Sequence, residues 1–194
     1  MNEKPILFNS EMVNAILSGR KTQTRRIISE KTLHLFGVAA SAGECHPIEL
    51  CDQRSQSYYL DFCPLGKPGD QLWVREAFAA GLCTESTLAY RATHKTEDLE
   101  EGWGETIKWT PSIHMPRWAS RINLLITGVR VERLNTISTG DAMAEGYPVE
   151  REATGGSLDA WLWFRELWDG IYPDNTFEVN PWVWVIEFER MEAK

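Results

Sequence analysis

The chain has 194 residues, 43% of them apolar, and a formal net charge of −8, which suits one ordinary domain with a real buried core. No apolar run approaches the ~20 residues that cross a bilayer, and so acidic a chain is a poor match for a long duplex track, which needs a broad basic face. The opening MNEKPILF has no basic stretch leading into a long apolar one, so no secretory signal is read and a cytoplasmic protein is expected.

The charge is uneven. Residues 1–35 hold six Lys or Arg against three Asp or Glu, and the remainder holds fourteen against twenty-five. A local anionic ligand near the amino terminus is therefore plausible on charge grounds. Cysteines stand at Cys45, Cys51, Cys63 and Cys83. Zinc sites usually pair their ligands at closer spacing than Cys45, His46, Cys51 and Cys63 offer, so free thiols and no metal are expected.

In chain order, 9–18 reads as a helix, with Met12, Val13, Ile16 and Leu17 on one face. Asn9 or Ser10 can cap its start, and Gly19 its end. The octet GRKTQTRR at 19–26 then falls where a helix stops, a natural place for a functional turn. Residues 30–68 mix Gly, Pro, Ser and cysteines and read as an irregular insertion. KPGD at 67–70 is a turn, followed by strands over 71–78 and 88–92. Residues 93–116, with the charged run Lys95 to Glu105, read as a second insertion.

RINLLITGVRVERL, 121–134, is a strand whose apolar phase switches at Gly128, as at a bulge or barrel corner. Ser138 and Asp141 form a capping-box pattern for a short helix that Gly146 can stop. Residues 157–172 make a helix apolar almost all round, so deep burial is expected. Residues 182–189 alternate as a final strand, with Trp182, Trp184, Ile186 and Phe188 on one side. Short strands with a mid-strand bend and several helices point to an α+β protein built on a small, partly closed barrel.

The octet carries the chemistry. If the backbone turns after the first helix, Lys21 and Thr24 meet on one side. If it is extended, they point to opposite faces. In the turned form they make a base and nucleophile pair, because a threonine hydroxyl reacts only when a base takes its proton. Arg20, Arg25 and Arg26 would help lower the lysine's pKa. A solvated basic turn is the alternative. Of the nine tryptophans, most belong in the core, but Trp118 lies between Arg117 and Arg121, which suits base stacking beside phosphate contacts.

An opening helix running into GRKTQTRR, then KPGDQLWVRE, RINLLITGVRVERL, the AEG of 144–146, a Trp-rich helix and WVWVIEF form an ordered set. It resembles the ASCH domain, a member of the PUA-like barrels, and is most like the larger ASCH proteins of phages and prophages. The resemblance covers most of the chain. It implies one domain over 1–194, a small mixed or antiparallel PUA-like β-barrel with flanking helices, and insertions at about 30–66 and 93–116.

The resemblance also implies a function. Some small bacterial ASCH proteins are amidohydrolases that remove the acyl group from N4-acetylcytidine, without a metal or other cofactor. Lys21, Thr24 and Glu145 stand where that family places its proton acceptor, nucleophile and proton donor. Arg20, Arg25, Arg26, Arg117 and Trp118 are the expected contacts to a modified nucleoside or single-stranded RNA. A binding module without turnover and a single-strand ribonuclease are the alternatives. The chain departs from the small enzymes in its length and in carrying Arg25 directly after the threonine.

Overall fold

The computed structural model describes residues 2–82, 87–104 and 106–192. In chain order the elements are β1 (Glu3–Leu7), α1 (Ser10–Leu17), β2 (Gln23–Ile27), α2 (Glu30–Ser41), α3 (Gln53–Leu60), β3 (Gln71–Arg75), β4 (Phe78–Ala80), β5 (Leu88–Tyr90), α4 (Thr96–Trp103), β6 (Asn123–Arg133), α5 (Thr139–Ala144), α6 (Val149–Glu152), α7 (Asp159–Ile171) and β7 (Trp182–Arg190). None of the described helices is long and apolar enough to cross a membrane.

Five strands form one mixed sheet in the order β1-β3-β6-β7-β2, while β4 and β5 pair separately. β1 runs parallel to β3, and the other pairs in the large sheet are antiparallel. The architecture is α+β, but the expected barrel does not close. β1 and β2 are the two ends of the sheet, each five residues long with one neighbour. A side chain spans the seam between them: Arg26 on β2 donates its Nη2 to the Leu7 carbonyl at the end of β1, 3.1 Å away.

β7 explains how the sheet is covered on both faces. Trp182, Trp184, Ile186 and Phe188 point into the main core, with Val13 and Ile16 of α1 and Leu124 and Ile126 of β6. Val183 and Val185 point the other way, against Phe164 and Trp168 of α7. Burying a large apolar side chain completely is worth about 2–3 kcal/mol, so one strand anchors two layers. The phase change at Gly128 is a bulge: the β6–β7 register shifts between Ile126 and Gly128. A Cβ on Gly128 would meet a Glu187 carboxylate oxygen at 2.7 Å, so a larger residue there would have to push the Glu187 side chain aside.

Four readings of the sequence are corrected. Residues 30–68 are not irregular, because α2 and α3 lie there. Phe36, Ile48, Tyr59 and Cys63 from this stretch join the main core, and Phe36 meets Trp184 edge-on at 6.1 Å. Strand 71–78 is two strands, broken at Glu76 and Ala77. Helix α7 is not apolar all round: Ala160, Phe164 and Trp168 are buried, whereas Leu162 and Ile171 are exposed. Finally, the second half of the octet is a strand rather than a turn, and EKPIL near the amino terminus supplies β1. In the second insertion, α4 forms and Met115 is fully buried beside Phe78 and Ala119. Cys83, and Glu105 at the end of the charged run, lie outside the described residues.

Candidate functional site

The site is built where the chain leaves α1. Gly19 adopts φ +77°, which ends the helix in the left-handed conformation that costs glycine little. The chain then lies against the end of α5. Lys21 forms an antiparallel bridge with Glu145, and the Thr22 amide donates to the Ala144 carbonyl at 2.8 Å. Ser138 caps α5 by accepting from the Asp141 amide at 3.0 Å, and Glu145 is its C-cap. Gly146 closes the junction at φ +108°.

This zipper buries the ends of two long side chains together. The Lys21 amine lies 2.7 Å from Glu145 Oε2 and 2.9 Å from the Glu145 main-chain carbonyl. Burial pushes the Lys21 pKa down; Glu145 opposes the shift, and Arg26 and Arg25 add to it. Arg25 takes the other carboxylate oxygen, with Nη1 3.0 Å from Glu145 Oε1, and its Nη2 is 2.8 Å from Glu132. Asp141 lies 3.6 Å from Arg25. Burial pushes the Asp141 pKa up, but the Gln23 hydrogen bond and the Arg25 and Arg130 charges outweigh it and hold the carboxyl below its ordinary range.

An extended chain sends alternate side chains to opposite faces. Gln23 and Arg25 share one face and are hydrogen-bonded at 3.0 Å. Thr24 and Arg26 share the other, where Arg26 Nη1 donates to the Thr24 hydroxyl at 2.7 Å. Lys21 and Thr24 are therefore not joined by a hydrogen bond, and each has another partner. What unites them is Glu145. It holds the Lys21 amine, and it lines a cavity of about 340 Å³ together with Thr24, Arg25 and Arg26. The cavity opens at the β1–β2 seam, and Phe8, Phe164, Trp168 and Tyr172 form aromatic walls. The Lys21 amine and the Arg26 guanidinium lie 5.6 Å and 5.3 Å from the Phe8 ring centre, within range of a cation–π attraction.

The remaining expected contacts lie elsewhere. Arg20 donates to the carbonyls of Gly146 and Tyr147 at 3.2 and 3.0 Å and lines a second cavity, of about 440 Å³, whose wall includes the same Glu145. Arg117 is ion-paired with Glu3 and donates to Asn123. Trp118 is 64% exposed. Neither of these two lines the cavity beside Thr24. His46 is engaged with Ser55 and Arg54, and Cys45, Cys51 and Cys63 are free thiols. Among the described residues no cluster of His, Cys, Asp and Glu could hold a metal ion.

Sequence reasoning missed Phe8, Phe164, Trp168 and Tyr172 as walls of one cavity, and Gln23, Glu132 and Asp141 as the supports of Arg25. The walls come from the β1–α1 link, from α7 and from the residue that follows α7. The supports come from β2, β6 and α5. No local signal joins such distant segments.

No family model matches the chain, and no curated protein does. Among solved structures, it is similar to an ASCH domain from Lactobacillus crispatus JV V101 at 12% identity and a TM-score of 0.44, covering 97% of this chain and 79% of that one. It is also similar to a protein from Enterococcus faecalis V583, described under DUF984, at 12% identity and a TM-score of 0.44, covering 98% of this chain and 76% of that one.

Proposed function

We propose that the protein is an amidohydrolase that removes the acyl group from N4-acylated cytidine-type nucleosides without a metal. One observation carries the reading. A buried Lys21–Glu145 contact of 2.7 Å stands at a cavity that Thr24 also lines, and these are the three residues at which the resemblance to ASCH amidohydrolases implies catalysis.

In this reading burial favours the uncharged form of Lys21, and when substrate binds its proton passes to Glu145 across their 2.7 Å contact. The neutral amine takes the Thr24 hydroxyl proton, and the oxygen attacks the acyl carbonyl carbon. The tetrahedral adduct collapses, the C–N bond breaks, and Glu145 passes a proton to the leaving amino nitrogen. A water molecule then gives a proton to the Lys21–Glu145 pair, and its oxygen attacks the threonine ester. The bond from the acyl carbon to the Thr24 oxygen breaks, the pair returns the proton to that oxygen, and the carboxylic acid is released with the Thr24 hydroxyl restored. Because the hydroxyl accepts from Arg26, its own proton remains free to leave. Transfer requires the hydroxyl and the amine to close to about 2.6–3.2 Å when substrate binds, as ligand-free sites are commonly looser.

The test is incubation with N4-acetylcytidine, with and without chelator, and chromatography for cytidine. Wild-type protein should release it in both conditions, and folded Thr24→Ala and Lys21→Met variants should lose roughly 10²-fold or more. No release from any member of a panel of N4-acyl cytidines by wild-type protein would sink the reading.

One observation favours a second reading, a modified-base or single-stranded RNA binder without turnover. The Lys21 amine and the Thr24 hydroxyl are each bonded to another partner. That reading expects salt-dependent binding of a short single strand, with no product formed.

A further inference from the structure

One of the residues lining the cavity holds a buried donor that lacks a partner among the described residues. Arg25 is 2% exposed. Its Nη1 serves Gln23 and Glu145, and its Nη2 serves Glu132. Its Nε is buried and has no partner among the described residues, and the residue lines the cavity. An unmet donor on a buried cation costs more free energy than a neutral one, because bonds to charged groups are the stronger kind.

The backbone adds a second donor at the same place. Thr22 O accepts from Phe188 N, and Ile28 N donates to Trp182 O, with no register shift along the β2–β7 ladder. Hydrogen-bonded pairs alternate along an antiparallel ladder. The even-numbered residues of β2 therefore bond to β7, and the Arg25 amide is turned to the open edge of the sheet.

The character of the ligand follows from what surrounds these donors. Phe8, Phe164, Trp168 and Tyr172 call for a flat ring. The Arg25 charge is already matched by Glu132 and Glu145, so a neutral acceptor suits it better than a second anion. We propose that Arg25 is the recognition residue of this cavity, donating its Nε–H to the carbonyl oxygen of an uncharged heteroaromatic ring held between the aromatic walls. This rests on the proposed nucleoside reading only for the choice of ring, and it does not require turnover.

The experiment compares cytosine with 4-aminopyrimidine, which lacks the ring carbonyl. Neither carries an acyl group, so failure of the hydrolysis does not affect the result. Binding is followed by tryptophan fluorescence, and the Arg25 Nε–H by its nitrogen-edited proton resonance in wild-type protein. Cytosine should bind about tenfold or more tighter and shift that resonance, and 4-aminopyrimidine should not shift it. A folded Arg25→Lys variant, which keeps a cation for Glu145, should lose the preference. Equal affinities in wild-type protein, an unmoved resonance, no cytosine binding at millimolar concentration, acetate binding in place of cytosine, or a preference that survives Arg25→Lys would each overturn the proposal.

Discussion

The Lys21 amine and the Glu145 carboxylate meet at 2.7 Å with both side chains shut off from solvent. Glu145 also holds Arg25, so the two partners of the pair are not equivalent. Removing Glu145 leaves Lys21 buried without an opposite charge. Removing Lys21 leaves the carboxylate still matched by Arg25.

Glu145→Leu should therefore destabilise the fold more than Lys21→Met. The larger loss should be on the order of 3–5 kcal/mol, the usual effect of stranding a buried charge. The double variant should recover part of it. Urea denaturation of the three proteins checks the order. A Lys21→Met protein less stable than Glu145→Leu would contradict it.

The same pair sets a pH dependence. The folded pKa of Lys21 is lowered, so between that value and the ordinary lysine value of about 10.4 the unfolded chain binds more protons than the folded one. Stability from this group therefore rises with pH across that window. Wild-type protein should gain urea resistance relative to Lys21→Met as pH increases from neutrality towards the ordinary lysine range. Parallel curves for the two proteins would show that the lysine titrates as it does in the unfolded chain.

Gly146 holds the junction that brings Lys21 and Glu145 together. Its φ of +108° is one that residues with a Cβ rarely adopt, and a Cβ there would meet Ala15 Cβ at 2.9 Å and Lys21 Cβ at 3.3 Å. Gly146→Ala should cost roughly 1–3 kcal/mol and should displace the Lys21 stem. In that variant, stability and any N4-acetylcytidine hydrolysis should fall together. Unchanged thermal unfolding would show that the backbone relaxes there at no cost.

Acid sensitivity should come in part from Asp70. Its carboxylate accepts from the Asn2 amide at 2.8 Å and the Lys67 amide at 3.2 Å, and these bonds hold its pKa below the ordinary range. The stability it contributes is present above the unfolded carboxylate pKa and is lost as pH falls through the lower folded value. Asp70→Asn should unfold earlier than wild type at neutral pH, and the difference should shrink in strong acid. A difference that stays constant down to strong acid would remove the carboxylate as its source.

Much of this was readable from the residues in order. The period of Met12, Val13, Ile16 and Leu17 set α1. Ser138 and Asp141 marked the start of α5, Gly128 marked the bulge, and the alternation over 182–189 marked β7. These signals are local, because capping and side-chain periodicity act within a few residues. Glu145 entered the reading through the resemblance, and its spacing alone would not have singled it out.

Local signals failed where a distant partner decided. GRKTQTRR has the composition of a solvated turn, yet pairing with β7 makes its second half an edge strand with Thr24 and Arg25 buried, and the bridge to Glu145 buries Lys21. EKTLHLFGVAA contains a glycine that obscures its helical period, yet packing of Phe36 on Trp184 keeps it helical. The sequence by itself determined which segments are amphipathic and which residue types could take or give a proton. Only the tertiary structure decided that the chain sends Lys21 to Glu145 and Thr24 to Arg26, and that a cavity lies beside the unclosed seam between β1 and β2. Burial and long-range strand pairing are set by contacts over a hundred residues apart, which a local pattern does not encode.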